Sequence, residues 1–387
     1  MRSKSAYFLS CLAAMALAGC CAAPAAPKET PAPAPAPAPV VKPAEPAQPA
    51  AYIPPALSDA QSWTMVVVPD TQAYSARATN NGILDMMFSW MVSNRTTLRI
   101  EQVLFTGDLV DQNDRFQSNR RMTASEEQWK GFSRTIKRLD GELPYILTTG
   151  NHDYGHRSAE NRNSFFGKYF PTDRNTLTRR QLIECAPNAF DIATLQNAAY
   201  EFTAPHPDNR KFLVISLQFA PTDQDLAWAK KVADNPRFAN HFGIVLTHSY
   251  LAWTCERIQQ ENYLLNKAGG NAGEGIFRKL VYPAKNIRMV VCGHIAKPDD
   301  WEKGIAFAMD KNESGKSVAQ MAFNTQAIGG GWSGNGGDGW LRLLEFMPDR
   351  KTIKARTFSP FFAISPSTRH LAWKHDARSE FTFELEE

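Results

Sequence analysis

The stretch that decides the fold is Tyr145-Ile146-Leu147-Thr148-Thr149-Gly150-Asn151-His152-Asp153. Three apolar residues read as a short buried strand, and the turn after it carries an amide, an imidazole and a carboxylate in succession. Four other blocks repeat this grammar. Trp63 to Val68 leads into Pro69-Asp70-Thr71-Gln72, and Val103-Leu104-Phe105 into Gly107-Asp108-Leu109-Val110-Asp111. Gly243 to Leu246 leads into Thr247-His248-Ser249, and Ile287 to Val291 into Cys292-Gly293-His294. Each block is an apolar, β-branched run followed at once by oxygen or imidazole donors. Gathered at the ends of neighbouring strands, such donors suit a pair of divalent ions.

Between the strands lie helical patterns. One is expected from about Ile83 to Leu98. A second has Trp129, Phe132, Ile136 and Leu139 at helical spacing, opened by a Ser125-Glu126-Glu127-Gln128 capping box and stopped by Gly141. A third, from Asp223 to Ala233, carries Leu226, Trp228, Ala229 and Val232. Strand–helix alternation predicts βαβ units and a mainly parallel sheet. Beyond residue 300, the runs 318–323, 340–346, 352–357 and 381–385 read as antiparallel strands of a second sheet. Two of them are separated by the glycine-rich run from Gly329 to Gly337.

The five blocks, in this order, resemble the calcineurin-like metallophosphoesterases over roughly Trp63 to Pro360. The resemblance implies an α/β fold, a four-layer α/β/β/α sandwich with two mixed sheets. It implies a metal-dependent phosphoesterase that hydrolyses phosphate mono- or diesters with a metal-bound hydroxide. Two divalent ions (manganese, iron, zinc or magnesium) would be held, one by Asp108, Asn151, His248 and His294, the other by Asp70, Asp108 and Gln72. His152 would be catalytic, with Asp153 orienting it, and His156 and Arg162 are candidate contacts for a substrate anion.

The chain departs from the commonest family pattern twice. Gln72 stands where Asp-x-His has its imidazole, and Ala296 where Gly-His-x-His has its second. Both losses fall on the same ion position, which is therefore weakened and oxygen-rich. Asn324, Gln326 and Asp338, in or beside the glycine-rich segment, are candidates to fill it. Trp332 and Trp340 could line a pocket or pack in the core.

The N-terminus has Arg2 and Lys4 before an apolar run from Ala6 to Ala18, too short to span a bilayer. It ends in Leu17-Ala18-Gly19-Cys20, which resembles a bacterial lipobox. This predicts a signal at 1–19, lipidation of Cys20, and an exported protein anchored by lipid in the outer membrane or cell envelope. Residues 20–58 are a Pro/Ala-rich tether holding 12 of the 25 prolines, and the enzymatic domain is expected over 59–387. About 36 tether residues extended at about 3.1 Å each would reach roughly 110 Å. Cleavage would remove two of the 43 basic residues and none of the 39 acidic ones, leaving a net charge of +2. With no basic stripe, no nucleic acid is expected as partner; a phosphorylated small molecule or phosphoprotein is. Of the six cysteines, Cys292 reads as a buried thiol, while Cys185 and Cys255 could pair after export. The rival reading is a catalytically silent envelope binding module with a decayed metal site.

Overall fold

The computed structural model describes residues 52–115 and 122–386. The expected signal, Cys20 and nearly all of the tether lie outside the described residues. The domain boundary drawn at 58/59 falls inside hydrogen-bonded chain. Trp373 Nε1 donates to Ile53 O at 2.7 Å, Arg356 to Ala56 O at 2.8 Å, and Ser58 Oγ to Glu345 Oε2 at 2.9 Å.

Among the described residues, fourteen strands form two seven-stranded sheets. In chain order they are β1 (Trp63–Val68), β2 (Ile100–Phe105), β3 (Tyr145–Leu147), β4 (Leu182–Pro187), β5 (Ala193–Thr203), β6 (Lys211–Ser216) and β7 (Phe242–Leu246). There follow β8 (Ile287–Cys292), β9 (Ile305–Lys311), β10 (Ser317–Phe323), β11 (Leu341–Phe346), β12 (Thr352–Phe358), β13 (Trp373–Lys374) and β14 (Phe381–Glu384). The first sheet runs β13-β12-β11-β1-β2-β3, with β14 beside β12; the second runs β4-β5-β6-β7-β8-β10-β9. β1, β2 and β3 are parallel, as are β6, β7, β8 and β10.

The expected second sheet of C-terminal strands does not form as such. β11 pairs antiparallel with β1 and brings β12 to β14 into the first sheet, while β10 pairs with β8 and brings β9 into the second. Both sheets are mixed, the second also because β5 runs antiparallel to β4 and β6. Which sheet a strand joins depends on partners distant in sequence, so alternation alone does not decide it.

Alternate residues show the layers. Phe212 and Val214 of β6 belong to the core shared with the first sheet; Leu213 and Ile215 pack with Leu226, Ala229 and Val232 of the helix Asp223–Ala233. A period of two with both faces apolar is the mark of a strand covered on each side. Between the sheets, Trp63 stacks on Phe346 at 4.3 Å and meets Phe212 edge-on at 5.3 Å. Each such aromatic pair adds about 0.5–1.5 kcal/mol beyond area burial. On the far face of the first sheet, Trp129, Phe132 and Ile136 of the helix Ser125–Ile136 are buried. These layers make the helix–sheet–sheet–helix sandwich.

Local differences have physical causes. The first long helix is Asn81–Asn94, two residues earlier at its start and four at its end than expected. The Ser125 box does not form. Ser125 is already the first helical residue, and its hydroxyl accepts from Arg115 N at 2.6 Å, while Gln128 accepts from Asp111 N at 2.9 Å. The Cys185–Cys255 pair does not form: Cys185 lies in β4, and it and Cys255 are both free thiols, while Cys292 is buried as expected. Among the described residues no helix is long and apolar enough to cross a membrane.

Candidate metal centre

Parallel strands aim their C-terminal ends the same way, and the turns after β1, β2, β3, β7 and β8 meet. Ligands in open α/β sheets bind at such ends. Asp70, Asp108, Asn151 and His248 are almost fully buried there. The backbone is shaped to allow it. A side chain at Gly150 would collide with the Asp108 carboxylate, and one at Gly293 with that of Asp70. Asp108 and His294 hold φ of +48° and +71°, a left-handed region costly for residues with a Cβ and concentrated at functional sites.

The donors are oriented before any ion arrives. His248 places Nδ1 against Thr106 O at 2.7 Å, so that nitrogen carries the proton and Nε2 turns inward. His294 sets Nε2 against Glu261 Oε1 at 3.0 Å, leaving Nδ1 inward. Asn151 donates Nδ2 to Ser158 Oγ at 2.8 Å, so its Oδ1 points inward. Asn151 Oδ1 is 3.0 Å from both His248 Nε2 and His294 Nδ1, and those nitrogens are 3.1 Å apart. Asp108 Oδ2 lies 3.3 Å from His248 Nε2. Once an ion displaces the proton from His248 Nε2, these are acceptors facing acceptors. Donors about 2.1 Å from one octahedral ion are about 3.0 Å apart, so the spacing fits a cation. Ligand atoms of Asp70, Asp108 and His248 all lie within 4.8 Å of one another.

Electrostatics agree. Burial pushes Asp70 up to about 7, with Asp108 adding to it. Burial also opposes ionisation of Asp108, but His248 and His152 outweigh it and hold that carboxyl at about 2. His248, against the effect of burial, is raised to about 10 by Asp108 and Asp70. Without an ion, a proton on His248 supplies the positive charge that the buried carboxylates require.

The second half of the centre is built of amides. Asp70 Oδ2 accepts from Asn324 Nδ2 at 2.6 Å, and Gln326 Nε2 stands 3.4 Å away. Gln72 Nε2 donates to Gln326 Oε1. Gln72 Oε1 is buried without a partner. An orphaned buried acceptor costs about 1–3 kcal/mol unless something satisfies it, and a cation would. Gln326 and Asn324 therefore reach the weakened half. Asp338 does not: its carboxylate accepts from Asn335 Nδ2 at 2.6 Å within the glycine-rich loop.

The centre forms the floor of a cavity of about 810 Å³ that includes Arg77, His152, Tyr263 and Trp332. His152 donates its backbone N–H to Asp108 Oδ1 at 2.8 Å, and its ring contacts Asp111 O. Burial lowers the pKa of His152, but Asp108 and Asp111 outweigh it and leave it above the usual value. Asp153 does not orient His152. Its carboxylate accepts from the backbone of Gly150, Leu109 and Val110 at 2.8–3.1 Å, which clamps the Asp108 and Asn151 turns together. Asp111, by sequence either a loop residue or one that supports the site from behind, takes the orienting position. Arg162 turns away from the cavity and donates to Phe219 O and Ala220 O; His156 is exposed, with its ring on Asp114 O at 2.7 Å. Neither lines the cavity. Trp332 does line it, while Trp340 packs against Trp301 and Phe362. Glu261 and Tyr263, on a loop without a motif, escaped sequence reasoning.

Residues 65–298, more than half of the chain, match the family described as calcineurin-like phosphoesterase, and the chain belongs to that family. Its members are metal-dependent phosphoesterases. The chain is 29% identical over 322 residues to the uncharacterized protein YvnB of Bacillus subtilis (strain 168). The match takes in 80% of this chain and 20% of that protein, so the chain spans about a fifth of its relative's length. Among solved structures it is similar to GAP50, the anchor in the inner membrane complex of Plasmodium: TM-score 0.41, 10% identity, 84% of this chain and 90% of that one. It is also similar to a 5'-nucleotidase from Candida albicans SC5314: TM-score 0.37, 11% identity, 81% and 51% covered. Likeness of that degree says nothing of substrate.

Proposed function

We propose that this chain hydrolyses phosphate mono- or diesters at the floor of the large cavity, with two divalent ions as cofactors. The observation that supports this most is the inward convergence of Asn151 Oδ1, His248 Nε2, His294 Nδ1 and Asp108 Oδ2, acceptors 3.0–3.3 Å apart. Asp108, Asn151, His248 and His294 would hold one ion; Asp70, Asp108 and Gln72 would hold the other, with Gln326 beside it. Such ions neutralise phosphoryl oxygens and make water acidic enough to attack near neutral pH. The chain's own residues do the rest. His152, whose pKa Asp108 and Asp111 raise against the effect of burial, gives its proton to the departing ester oxygen. Arg77 adds positive charge on the cavity wall for the anionic substrate. The test is turnover of p-nitrophenyl phosphate and its bis ester with added manganese. Turnover that disappears in Asp108→Ala supports the reading. Turnover no higher than that variant's would leave the silent binding module as the better account.

From the Leu17-Ala18-Gly19-Cys20 block we also propose export and lipid anchoring at Cys20 in the cell envelope. Radiolabelled palmitate should enter the protein in its native host and be lost in Cys20→Ala. Absence of label from the unaltered protein would contradict the anchor.

A further inference from the structure

The N-terminal ends of the second sheet's parallel strands surround another cavity, of about 250 Å³. Arg210 lies just before β6, His241 just before β7, Lys285 and Asn286 just before β8, and Lys316 just before β10. Arg288, in β8, and Arg350, in the turn after β11, complete the basic lining, and Glu386 is the carboxylate that joins it. His294 follows the other end of β8, so this cavity belongs to the opposite edge of the sheet from the metal centre.

Three of the lining side chains are more than nine-tenths buried, and each has a polar atom with no partner among the described residues: Arg288 Nη2, His241 Nδ1 and Asn286 Oδ1. Other polar atoms of these side chains are engaged. Arg288 Nε donates to Ser317 O at 2.9 Å. His241 Nε2 faces Glu201 Oε1 at 2.8 Å, which puts the proton on Nε2 and a lone pair on Nδ1. Asn286 Nδ2 donates to Ala233 O and Phe238 O, at 3.1 and 2.9 Å, so the orphaned oxygen is a true acceptor. Each orphan costs about 1–3 kcal/mol if nothing meets it.

The charges are unevenly answered. Asp208 is held by Arg210 through two contacts of 2.6 and 2.9 Å, with Arg350 4.0 Å away. Glu201 pairs with Arg237, and Glu386 lies 3.8 Å from Lys311. Among the described residues, Lys285, Arg288 and Lys316 have no ion pair, and of the carboxylates Arg288 feels only the field of Glu386. The lining thus asks for an anion. It also offers two acceptors, Asn286 Oδ1 and His241 Nδ1, which ask for an O–H.

We propose that this cavity is a second binding site, separate from the metal centre, for a phosphate group that retains a proton: hydrogen phosphate itself or a protonated phosphomonoester. Arg288 and the lysines bind the unprotonated oxygens, and Asn286 or His241 accepts the P–OH. Sulfate has the same shape but no proton near neutral pH, so it satisfies the cations and leaves the acceptors unmet. The proposal does not depend on the catalytic reading.

The experiment is calorimetric titration of the chelator-treated protein with inorganic phosphate and, separately, with sulfate at matched ionic strength. Phosphate is expected to bind at least about tenfold tighter than sulfate. The double variant Lys285→Gln/Lys316→Gln, at exposed positions that leave folding intact, is expected to weaken phosphate by about tenfold or more. His152→Gln, in the other cavity, should leave this binding unchanged. Glycerol 2-phosphate in place of phosphate separates the two sources: comparable affinity assigns the site to phosphomonoesters, and much weaker affinity assigns it to the free ion. Unchanged phosphate affinity in the double variant, loss of binding in His152→Gln, or equal affinity for phosphate and sulfate would each overturn the proposal.

Discussion

The two halves of the metal centre share Asp108 but differ in their other groups. One half is built from Asn151, His248 and His294, each fixed by a dedicated partner: Ser158, Thr106 and Glu261. The other is built from Asp70, Gln72, Asn324 and Gln326, a carboxylate among carboxamides. If both halves bind ions as proposed, the imidazoles of the first would favour borderline ions such as zinc or iron, and the oxygens of the second harder ions such as manganese or magnesium. The comparison shows where two lost imidazoles leave their mark: the amides of Asn324 and Gln326 turn N–H groups to Asp70, and Gln72 Oε1 alone is left unmet.

The largest effect should come from the imidazole half. His248→Ala removes a buried ligand and leaves Asp70 and Asp108 facing each other. We expect turnover to fall by about 10³-fold or more, a loss near 4 kcal/mol, against about tenfold for Gln72→Ala; equal losses would erase the distinction between the halves. His152→Gln should lower turnover by about 10²–10⁴-fold while leaving bound metal unchanged. The loss should be greater for an alkyl phosphate than for p-nitrophenyl phosphate, whose leaving group needs no proton. Glu261→Gln keeps shape but weakens the hold on His294 Nε2. Metal affinity measured by chelator competition should drop about 10–100-fold. Gln72→His tests the amide half in the opposite sense: the zinc-to-manganese affinity ratio should rise by about tenfold, and no change would show that Gln72 does not reach the ion.

The smallest effect is on stability against pH. In the ion-free protein Asp70 is raised to about 7, so the native state holds a proton that the unfolded chain releases near 3.8; its contribution falls as pH rises through that window. His248, raised to about 10, contributes fully below 6.5 and loses that contribution as pH rises toward 10. Both slopes have the same sign between pH 5 and 8. The ion-free melting temperature should therefore fall across that range, and manganese should flatten the fall because it replaces the proton.

Much of this centre was legible because each block is local. A strand end followed by Gly-Asp or Gly-Asn-His is written in consecutive residues, and the sheet brings the blocks together. The helix Asp223–Ala233 was readable to the residue for the same reason, with a Thr222–Asp225 capping box that does form. What escaped is non-local. Glu261 acquires its role only when His294 comes to meet it, and Asp111, left open by sequence between loop and supporting residue, is decided by its contact with His152. Asp153 sits beside His152 in sequence yet bonds to the backbone of another turn. β5, from Ala193 to Thr203, mixes Gln196 and Asn197 into its buried run and gave no strand signal. The assignment of β9 to β14 to two sheets rests on long-range pairing that no window of sequence contains.

The most direct test of the central claim is the number of ions bound. Protein stripped with chelator, reloaded with manganese and freed of excess should be analysed for metal per chain, beside Asp108→Ala treated identically. Two ions per chain, falling to one or fewer in the variant, is the predicted result. One ion or none in the unaltered protein would contradict a two-ion centre and leave the amide half without a cation.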